Sequence, residues 1–324
     1  MYTPSDLHGL NSMIPAFTKD MEIGLESEDT VDADRVVEFV DRMINDGIDV
    51  ISAMGSYGEF HTLTENEYKT MVKATLDGAK KRVPVFIGIT SMNSREVVRK
   101  AKIARDMGAE GIFTGVPFYY PPTVDNTIYF YNELADFFSD LSIQVYHNPP
   151  LHNIHIPVSA FKELTKKRNI VSMKDSHRST LEFIKLIDVT KDKLSVFVNQ
   201  MQYYPYQSMG ASGFWSTDAS MGPWPLLHYR NCTDAGDAEG AKEVMRDISA
   251  IATGSQDFGG PQDNARKIGA THSGYADQGP NRPPFRVIRP ADLQKAIERG
   301  EGWGKLNEKY KPRVQSRVAV GAGR

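Results

Sequence analysis

Short apolar runs alternate with longer amphipathic segments along the first two thirds of the chain. The runs are rich in β-branched residues, as expected of buried parallel strands. Their starts recur at intervals of roughly 30 residues, which is the length of a βαβ unit. We predict eight such strands, at Ser12–Phe17, Asp49–Met54, Val83–Thr90, Gly111–Val116, Ile143–Tyr146, Ile170–Met173, Leu194–Val198 and Gly213–Trp215.

The segments between the runs show helical periodicity. Val31–Asp46 carries apolar residues on one face and is followed by Gly47, a typical C-cap, and Ser94–Met107 repeats this arrangement. Thr64-Glu65-Asn66-Glu67 has the pattern of a capping box at the start of another helix. An open doubly wound sheet would show the same alternation. Eight consecutive strands favour closure, so we predict an α/β fold of the (β/α)₈ TIM-barrel type.

The pattern changes after the eighth apolar run. Helical periodicity without intervening strands marks three segments, Pro223–Tyr229, Ala235–Ile251 and Pro290–Tyr310. Between them lies Gly254–Gly279, rich in Gly, Asp and Gln, which we predict to be a long loop. We therefore divide the chain into a catalytic barrel, residues 1–222, and a C-terminal helical extension, residues 223–324.

Composition narrows the choice of partners. The chain has 324 residues, 40% of them apolar, and a formal net charge of −3 without a basic stripe, which disfavours nucleic acid and anionic membranes. No apolar run approaches the roughly 20 residues of a membrane span. The lone Cys232 cannot form an internal disulfide, and the first residues lack the pattern of a signal peptide. We expect a cytoplasmic protein whose partner is a small molecule.

Polar residues that end the apolar runs are the candidates for chemistry, because barrel active sites lie at the carboxyl ends of the strands. Lys174 follows the apolar run Ile170–Met173. Burial of a lysine at such a site favours the neutral amine, which attacks a ketone to form an imine. The alternative is a lysine that extends to solvent or pairs with Asp175.

Two further strand ends carry polar groups. Tyr146 ends the fifth run, where a phenol would shuttle protons or, alternatively, fill the core. Gly55, Ser56 and Tyr57 follow the second run, where glycine-flanked backbone N–H groups suit a carboxylate, although such glycines also occur in ordinary βα turns. Glu59, in the same turn, is interpreted as a residue that orders it.

The sequence gives little indication of a metal site or a nucleotide site. His147, His152 and His155 lie in a Pro-rich segment at a spacing that matches no standard zinc site. The Gly-rich stretch that begins at Gly254 contains neither GxGxxG nor GK[ST]. We expect no metal and no cofactor.

Taken together, the Gly55–Glu59 turn, Tyr146 and Lys174 resemble the class I pyruvate aldolase superfamily of dihydrodipicolinate synthase and N-acetylneuraminate lyase. The resemblance covers nearly the whole chain. It implies that Lys174 forms the imine, that Tyr146 is the acid/base group, and that Ser56 with the Tyr57 backbone holds the pyruvate carboxylate. Superfamily members are commonly homotetramers, which we also expect here.

Departures from dihydrodipicolinate synthase point to one branch of this superfamily. Leu151 stands where those synthases carry an arginine, and Ser56-Tyr57 replaces two threonines. Asn148-Pro149, Gly213-Phe-Trp215-Ser and Asn281-Arg-Pro-Pro-Phe285 are similar to the trans-o-hydroxybenzylidenepyruvate hydratase-aldolases of polycyclic aromatic hydrocarbon degradation.

By this resemblance the chain hydrates and cleaves an ortho-hydroxy or ortho-carboxy trans-benzylidenepyruvate to an aromatic aldehyde and pyruvate. Asn148 would orient the added water, and Tyr57, Tyr119 and Trp215 would line a pocket for the ring. In relatives, the tyrosine that corresponds to Tyr119 lies near a subunit contact. Two alternatives remain open: a related aldolase or dehydratase acting on a sugar acid, and a barrel that binds keto acids without turnover.

Overall fold

The computed structural model describes residues 1–175, 177–251 and 263–321, and it confirms the predicted barrel. Eight parallel strands follow each other in chain order and close into a barrel, in which Gly9 of the first strand pairs with Gly213 of the last. The strands are β1 (Gly9–Ile14), β2 (Val50–Ala53), β3 (Val85–Gly88), β4 (Gly111–Thr114), β5 (Ser142–His147), β6 (Ile170–Asp175), β7 (Ser195–Asn199) and β8 (Gly213–Ser216).

Twelve α-helices lie within the described residues, most of them between consecutive strands or after the last one. They are α1 (Ala33–Asp46), α2 (Glu65–Ala79), α3 (Ser94–Asp106), α4 (Val124–Phe137), α5 (Pro149–His152), α6 (Phe161–Leu164), α7 (Thr180–Thr190), α8 (Tyr203–Gln207), α9 (Trp224–Asp234), α10 (Ala238–Ile251), α11 (Asp263–His272) and α12 (Pro290–Gly321). Within the described ranges, no helix combines the length and the apolar character that crossing a bilayer requires.

Local sequence signals explain where the helices begin and end. The capping box at α2 is confirmed, since the Thr64 hydroxyl accepts from the Glu67 N–H at 3.3 Å and the Glu67 carboxylate accepts from the Thr64 N–H at 2.9 Å. Asn93 caps α3, since its side-chain oxygen accepts from the Glu96 N–H at 3.0 Å. Gly47 ends α1 in the left-handed conformation, with φ of 112°, as predicted for a C-cap.

Two sequence predictions need correction. The first strand lies three residues earlier than predicted, because the fully buried polar residues Asn11 and Ser12 hide its apolar pattern. The long loop predicted at Gly254–Gly279 is wrong in part, since α11 occupies its middle and buries Ala265 against Ala296 of α12. Residues 254–262 of that segment lie outside the described residues. The domain boundary between 222 and 223 stays a prediction.

The core has an outer and an inner part. The outer part lies between the barrel and its helices, where side chains such as Val40 and Phe183 are buried. The inner part lies inside the barrel and contains the aromatic residues Phe113, Tyr146 and Trp215. Tyr146 and Trp215, two of the predicted site residues, therefore lie in the packed interior of the barrel.

Candidate active site

Lys174 and Tyr146 lie side by side on neighbouring strands. They are register partners in the β5–β6 pairing, so both side chains point to the same face of the sheet, into the barrel. The Lys174 Nζ atom lies 5.2 Å from the centroid of the Tyr146 ring. The two residues singled out separately in the sequence thus form one pair at the mouth of the barrel.

The Lys174 amine is buried. The residue is only 9% exposed, and this burial lowers the pKa of the amine because the ammonium form loses its hydration. The negative charge of Asp175 opposes the shift, whereas the positive charge of Arg266 adds to it. A lowered pKa makes the neutral amine more available than it is in an exposed lysine.

The Tyr146 hydroxyl lies between two polar side chains. It shares a hydrogen bond of 3.2 Å with the Ser56 hydroxyl, and the Asn148 amide donates to it at 3.4 Å. Ser56 comes from the turn after β2, and Asn148 follows β5. Two other predicted site residues, Ser56 and Asn148, therefore contact the Tyr146 hydroxyl.

Aromatic residues pack against the phenol ring of Tyr146. Trp215 stacks nearly parallel to Tyr146, with ring centroids 5.9 Å apart and an interplanar angle of 9°. Phe113 packs edge-on against both rings, with centroids 5.6 Å away in each case. These contacts restrict the rotation of the Tyr146 ring.

His152 is a further neighbour of the pair, which the sequence analysis considered only as a metal ligand. Its ring packs edge-on against Tyr146, with centroids 5.0 Å apart. Burial lowers the pKa of His152 to about 4, and the nearby positive charge of Lys174 contributes. The imidazole is therefore neutral at physiological pH.

His147, from the same Pro-rich segment, makes contacts of a different kind. Ile156 donates its N–H to His147 Nε2 at 3.2 Å, so the proton resides on Nδ1, which faces Asp175 at 3.1 Å. Burial alone would raise the pKa of Asp175, but the hydrogen bond from His147 and the charge of Arg178 outweigh it and lower the pKa to about 2. In the described part of the chain, no cluster of His, Cys, Asp or Glu is suited to hold a metal ion.

The pair opens into a cavity of about 750 Å³. One part of its wall is apolar and includes Met13, Phe60, Phe118, Leu151, Trp215 and Phe285. Another part is polar and includes Asn199, Gln200, Asp218, Arg266 and Arg299. A volume of this size accommodates a ligand with a flat ring and a short polar chain.

Asp218 and Arg299 form the central ion pair of the polar wall. They lie 2.8 Å apart, and the amide of Gln200 donates to the same carboxylate oxygen at 2.8 Å. Burial would raise the pKa of Asp218, but the charges of Arg299 and Arg266 reverse the effect and lower it. Asp218 is therefore an anion in the wall of the cavity.

The remaining predicted residues differ in position. Tyr57 belongs to the lining of the cavity, and its buried hydroxyl is bonded to Ser220 at 2.8 Å and to Gln278 at 2.5 Å. Gly55 lies outside the lining formed by the described residues, and its N–H faces the Met13 sulfur at 3.4 Å. Tyr119 is 68% exposed, packs edge-on against Tyr120 and also lies outside that lining.

Comparison with known proteins adds independent evidence. A model of the dihydrodipicolinate synthetase family matches residues 17–283, which is most of the chain. The trans-O-hydroxybenzylidenepyruvate hydratase-aldolase of Sphingobium xenophagum is 28% identical over 317 residues, covering 94% of this chain and 96% of the relative. The trans-2'-carboxybenzalpyruvate hydratase-aldolase of Nocardioides sp. (strain KP7) is 26% identical over 325 residues, covering 95% of this chain and 96% of the relative.

Solved structures agree on the fold. A structure described as PhdJ bound to substrate intermediate superposes with a TM-score of 0.88 and 22% identity. The superposition covers 95% of this chain and 99% of the other. At this level of identity the likeness establishes the barrel with its C-terminal helices.

Proposed function

This chain belongs to the dihydrodipicolinate synthetase family and is a class I lyase, and from that premise we propose that it hydrates and cleaves trans-benzylidenepyruvates. The observation that carries the proposal is the buried Lys174 amine beside the Tyr146 phenol, at the base of a cavity with an aromatic wall. The products are an aromatic aldehyde and pyruvate.

The proposed reaction begins at Lys174. Its neutral amine attacks the keto carbon of the substrate, and loss of water gives an iminium that is conjugated with the double bond and the ring. Water then adds to the carbon beside the ring, because the iminium withdraws electrons from that carbon. Loss of the new hydroxyl's proton and cleavage of the adjacent carbon–carbon bond release the aldehyde and leave an enamine on Lys174. Protonation of the enamine carbon gives the pyruvate imine, and its hydrolysis releases pyruvate and the free amine.

Tyr146 supplies the proton transfers in this scheme. Its ring centroid lies 5.2 Å from the Lys174 Nζ atom, and its hydroxyl shares a 3.2 Å hydrogen bond with Ser56, along which protons pass. Ser56 and the Tyr57 backbone hold the substrate carboxylate, with Gly55 giving the turn room for a close approach. Asn148, which already donates to the phenol, orients the water that adds.

The apolar wall favours an aromatic substrate over a sugar acid. Trp215 and Phe118 line the cavity beside the imine position, and Leu151 lies where dihydrodipicolinate synthases carry an arginine for a second carboxylate. Curated relatives named as hydratase-aldolases of aromatic pyruvates support the same choice. We expect the ring to lie between Trp215 and the mouth, with either a hydroxyl or a carboxyl in the ortho position.

Reductive trapping tests the proposal directly. Incubation with pyruvate and borohydride is expected to add the reduced pyruvyl group to Lys174, as located by mass spectrometry of peptides. Release of aromatic aldehyde from benzylidenepyruvates is expected to exceed turnover of sugar acids. Absence of an adduct on Lys174 would reject both enzymatic readings, and turnover of sugar acids alone would reject the aromatic substrate.

The pH dependence of trapping reports on the amine. Because burial lowers the pKa of Lys174, the neutral amine persists to lower pH than in an exposed lysine, and protonation stops attack below the shifted value. The initial rate of cyanoborohydride trapping with pyruvate should therefore fall toward acid with a midpoint below the ordinary lysine value of 10.5. A midpoint at or above that value would contradict the buried neutral amine.

The assembly remains part of the proposal. We expect a homotetramer in which the exposed Tyr119 lies at a contact between subunits. Tyr119 would then contribute to an active site only through this subunit contact. Analytical ultracentrifugation of the full chain distinguishes this arrangement from a monomer.

A further inference from the structure

The turn after β2 has a backbone that needs support. Met54 and Glu59, at its two ends, have φ of 59° and 51°, in the left-handed region that residues with side chains rarely adopt. Between them, a Cβ atom on Gly58 would lie 2.7 Å from the Met54 nitrogen, so the chain passes unusually close to itself. The Ser56 hydroxyl projects from the middle of this turn toward Tyr146.

Two cations of the C-terminal extension fix one end of the turn. The Glu59 carboxylate accepts from Lys267 Nζ at 2.5 Å and from the Arg282 guanidinium at 2.8 Å. Its other oxygen accepts from the Arg282 backbone N–H at 3.1 Å. All three side chains are at most 3% exposed, so water does not compete for these contacts.

The same cations are themselves held by the loop after β1. Lys267 donates to the Ala16 carbonyl at 3.0 Å and to the Thr18 hydroxyl at 3.2 Å, and Arg282 donates to the Ala16 carbonyl at 3.0 Å. Arg282 also lies 3.9 Å from Glu67, so two buried carboxylates balance the two buried cations. The cluster is neutral overall and rigidly bonded.

The middle of the turn is attached to the same extension by a different residue. The Tyr57 hydroxyl is bonded to Gln278, which precedes Arg282 in the chain, and to Ser220 after β8. The side chains of Tyr57 and Glu59, on either side of Gly58, therefore bond to residues that come after the first seven βα units. This arrangement exceeds what is needed to close a βα turn.

We propose that Lys267 and Arg282 are positioning residues that hold the Ser56–Glu59 turn in the geometry that binds the carboxylate of the keto acid. The inference rests on the proposed function and deepens it. Without these cations, the turn relaxes from its left-handed ends, and the Ser56 hydroxyl and neighbouring N–H groups no longer converge on an anion. The C-terminal extension is then part of the substrate site as well as of the fold.

Lys267→Met tests this role, with Lys267→Arg as the conservative variant. The readout is the half-saturating concentration for cyanoborohydride trapping on Lys174, measured with pyruvate and with its uncharged isostere pyruvamide. For Lys267→Met we expect the value for pyruvate to rise by about tenfold, whereas that for pyruvamide changes less than about twofold. Lys267→Arg is expected to recover most of the preference for pyruvate, because it restores a cation near Glu59.

Lys309→Met is the matched control. Lys309 also lies in the C-terminal extension and pairs with carboxylates, Glu243 and Asp247, but its contacts are on the surface and away from the turn. The half-saturating concentrations of Lys309→Met for pyruvate and pyruvamide should equal those of the parent protein. Thermal unfolding followed by circular dichroism shows whether each variant is folded. If Lys267→Met does not fold, the double variant Glu59→Gln/Lys267→Met replaces it. The double variant removes both members of the ion pair and so leaves neither charge buried without its partner.

The outcomes separate the two proposals. If the parent protein gives no adduct on Lys174, the proposed function fails and this inference fails with it. If the parent is trapped and prefers pyruvate, but Lys267→Met keeps that preference, the inference alone is overturned. Equal rises for pyruvate and pyruvamide would also overturn it, since a general loosening of the site does not distinguish an anion from an amide.

Discussion

Lys174→Arg is expected to lower turnover of a benzylidenepyruvate by at least about 10³-fold and to abolish reductive trapping. Arginine has a similar length, but its guanidinium stays protonated and does not form an imine with a ketone. The reaction then loses its electron sink. The measurements are the rate of aldehyde release and the mass of the protein after borohydride treatment with pyruvate.

Lys100→Arg serves as the control for this substitution. Lys100 is a second lysine whose pKa is lowered by burial, but it lies on α3 and outside the lining of the cavity. The control should retain both turnover and the adduct. A persistent adduct in Lys174→Arg would mean that another amine carries the chemistry, and the assignment of Lys174 would have to be abandoned.

The fold was predictable because the barrel imposes a simple pattern. Strands that are buried on both faces show as apolar runs, and seven of the eight runs overlap the observed strands closely. The exception, β1, places Asn11 in the packed interior, where the pattern expects an apolar residue. A polar side chain inside a barrel is invisible to periodicity because its burial depends on the other strands.

The candidate site was predictable as far as it lies at strand ends. Tyr146 and Lys174 end β5 and β6, and the structure brings them together as register partners. The same rule, extended to β7 and β8, would have indicated Gln200 and Asp218, which follow those strands and line the cavity. Gln200 comes directly after β7 and Asp218 two residues after β8, so the signal is present in the sequence.

The contribution of the C-terminal extension was not predictable in this way. Arg266 and Lys267 lie on α11, in a segment whose glycines and polar residues indicate a loop, and the helix is stabilised by contacts that the local sequence does not reveal. Lys267 turns to Glu59 while Arg266 lines the cavity, an arrangement that depends on packing across more than 200 residues. Contacts between residues this far apart in the chain cannot be predicted from local sequence patterns.

Tyr146→Phe is expected to lower turnover by about 10²- to 10⁴-fold while leaving the adduct on Lys174 detectable after long incubation. Removal of the hydroxyl leaves the ring packed between Trp215 and Phe113, so the pocket keeps its shape. It removes the group that donates and accepts protons beside the imine, together with the hydrogen bond to Ser56. Rates of aldehyde release and of trapping, measured on the same preparation, give the two values.

Tyr68→Phe is the control for the loss of a buried phenol. Tyr68 is 1% exposed, and its hydroxyl donates only a weak hydrogen bond, 3.4 Å from the Lys100 carbonyl, outside the cavity lining. This variant should keep turnover within about twofold of the parent. If Tyr146→Phe also stayed in that range, the proton would have to move through another group. His152 is a poor substitute, because burial lowers its pKa to about 4 and leaves it a weak base, so ordinary turnover without the phenol would require water to carry the proton.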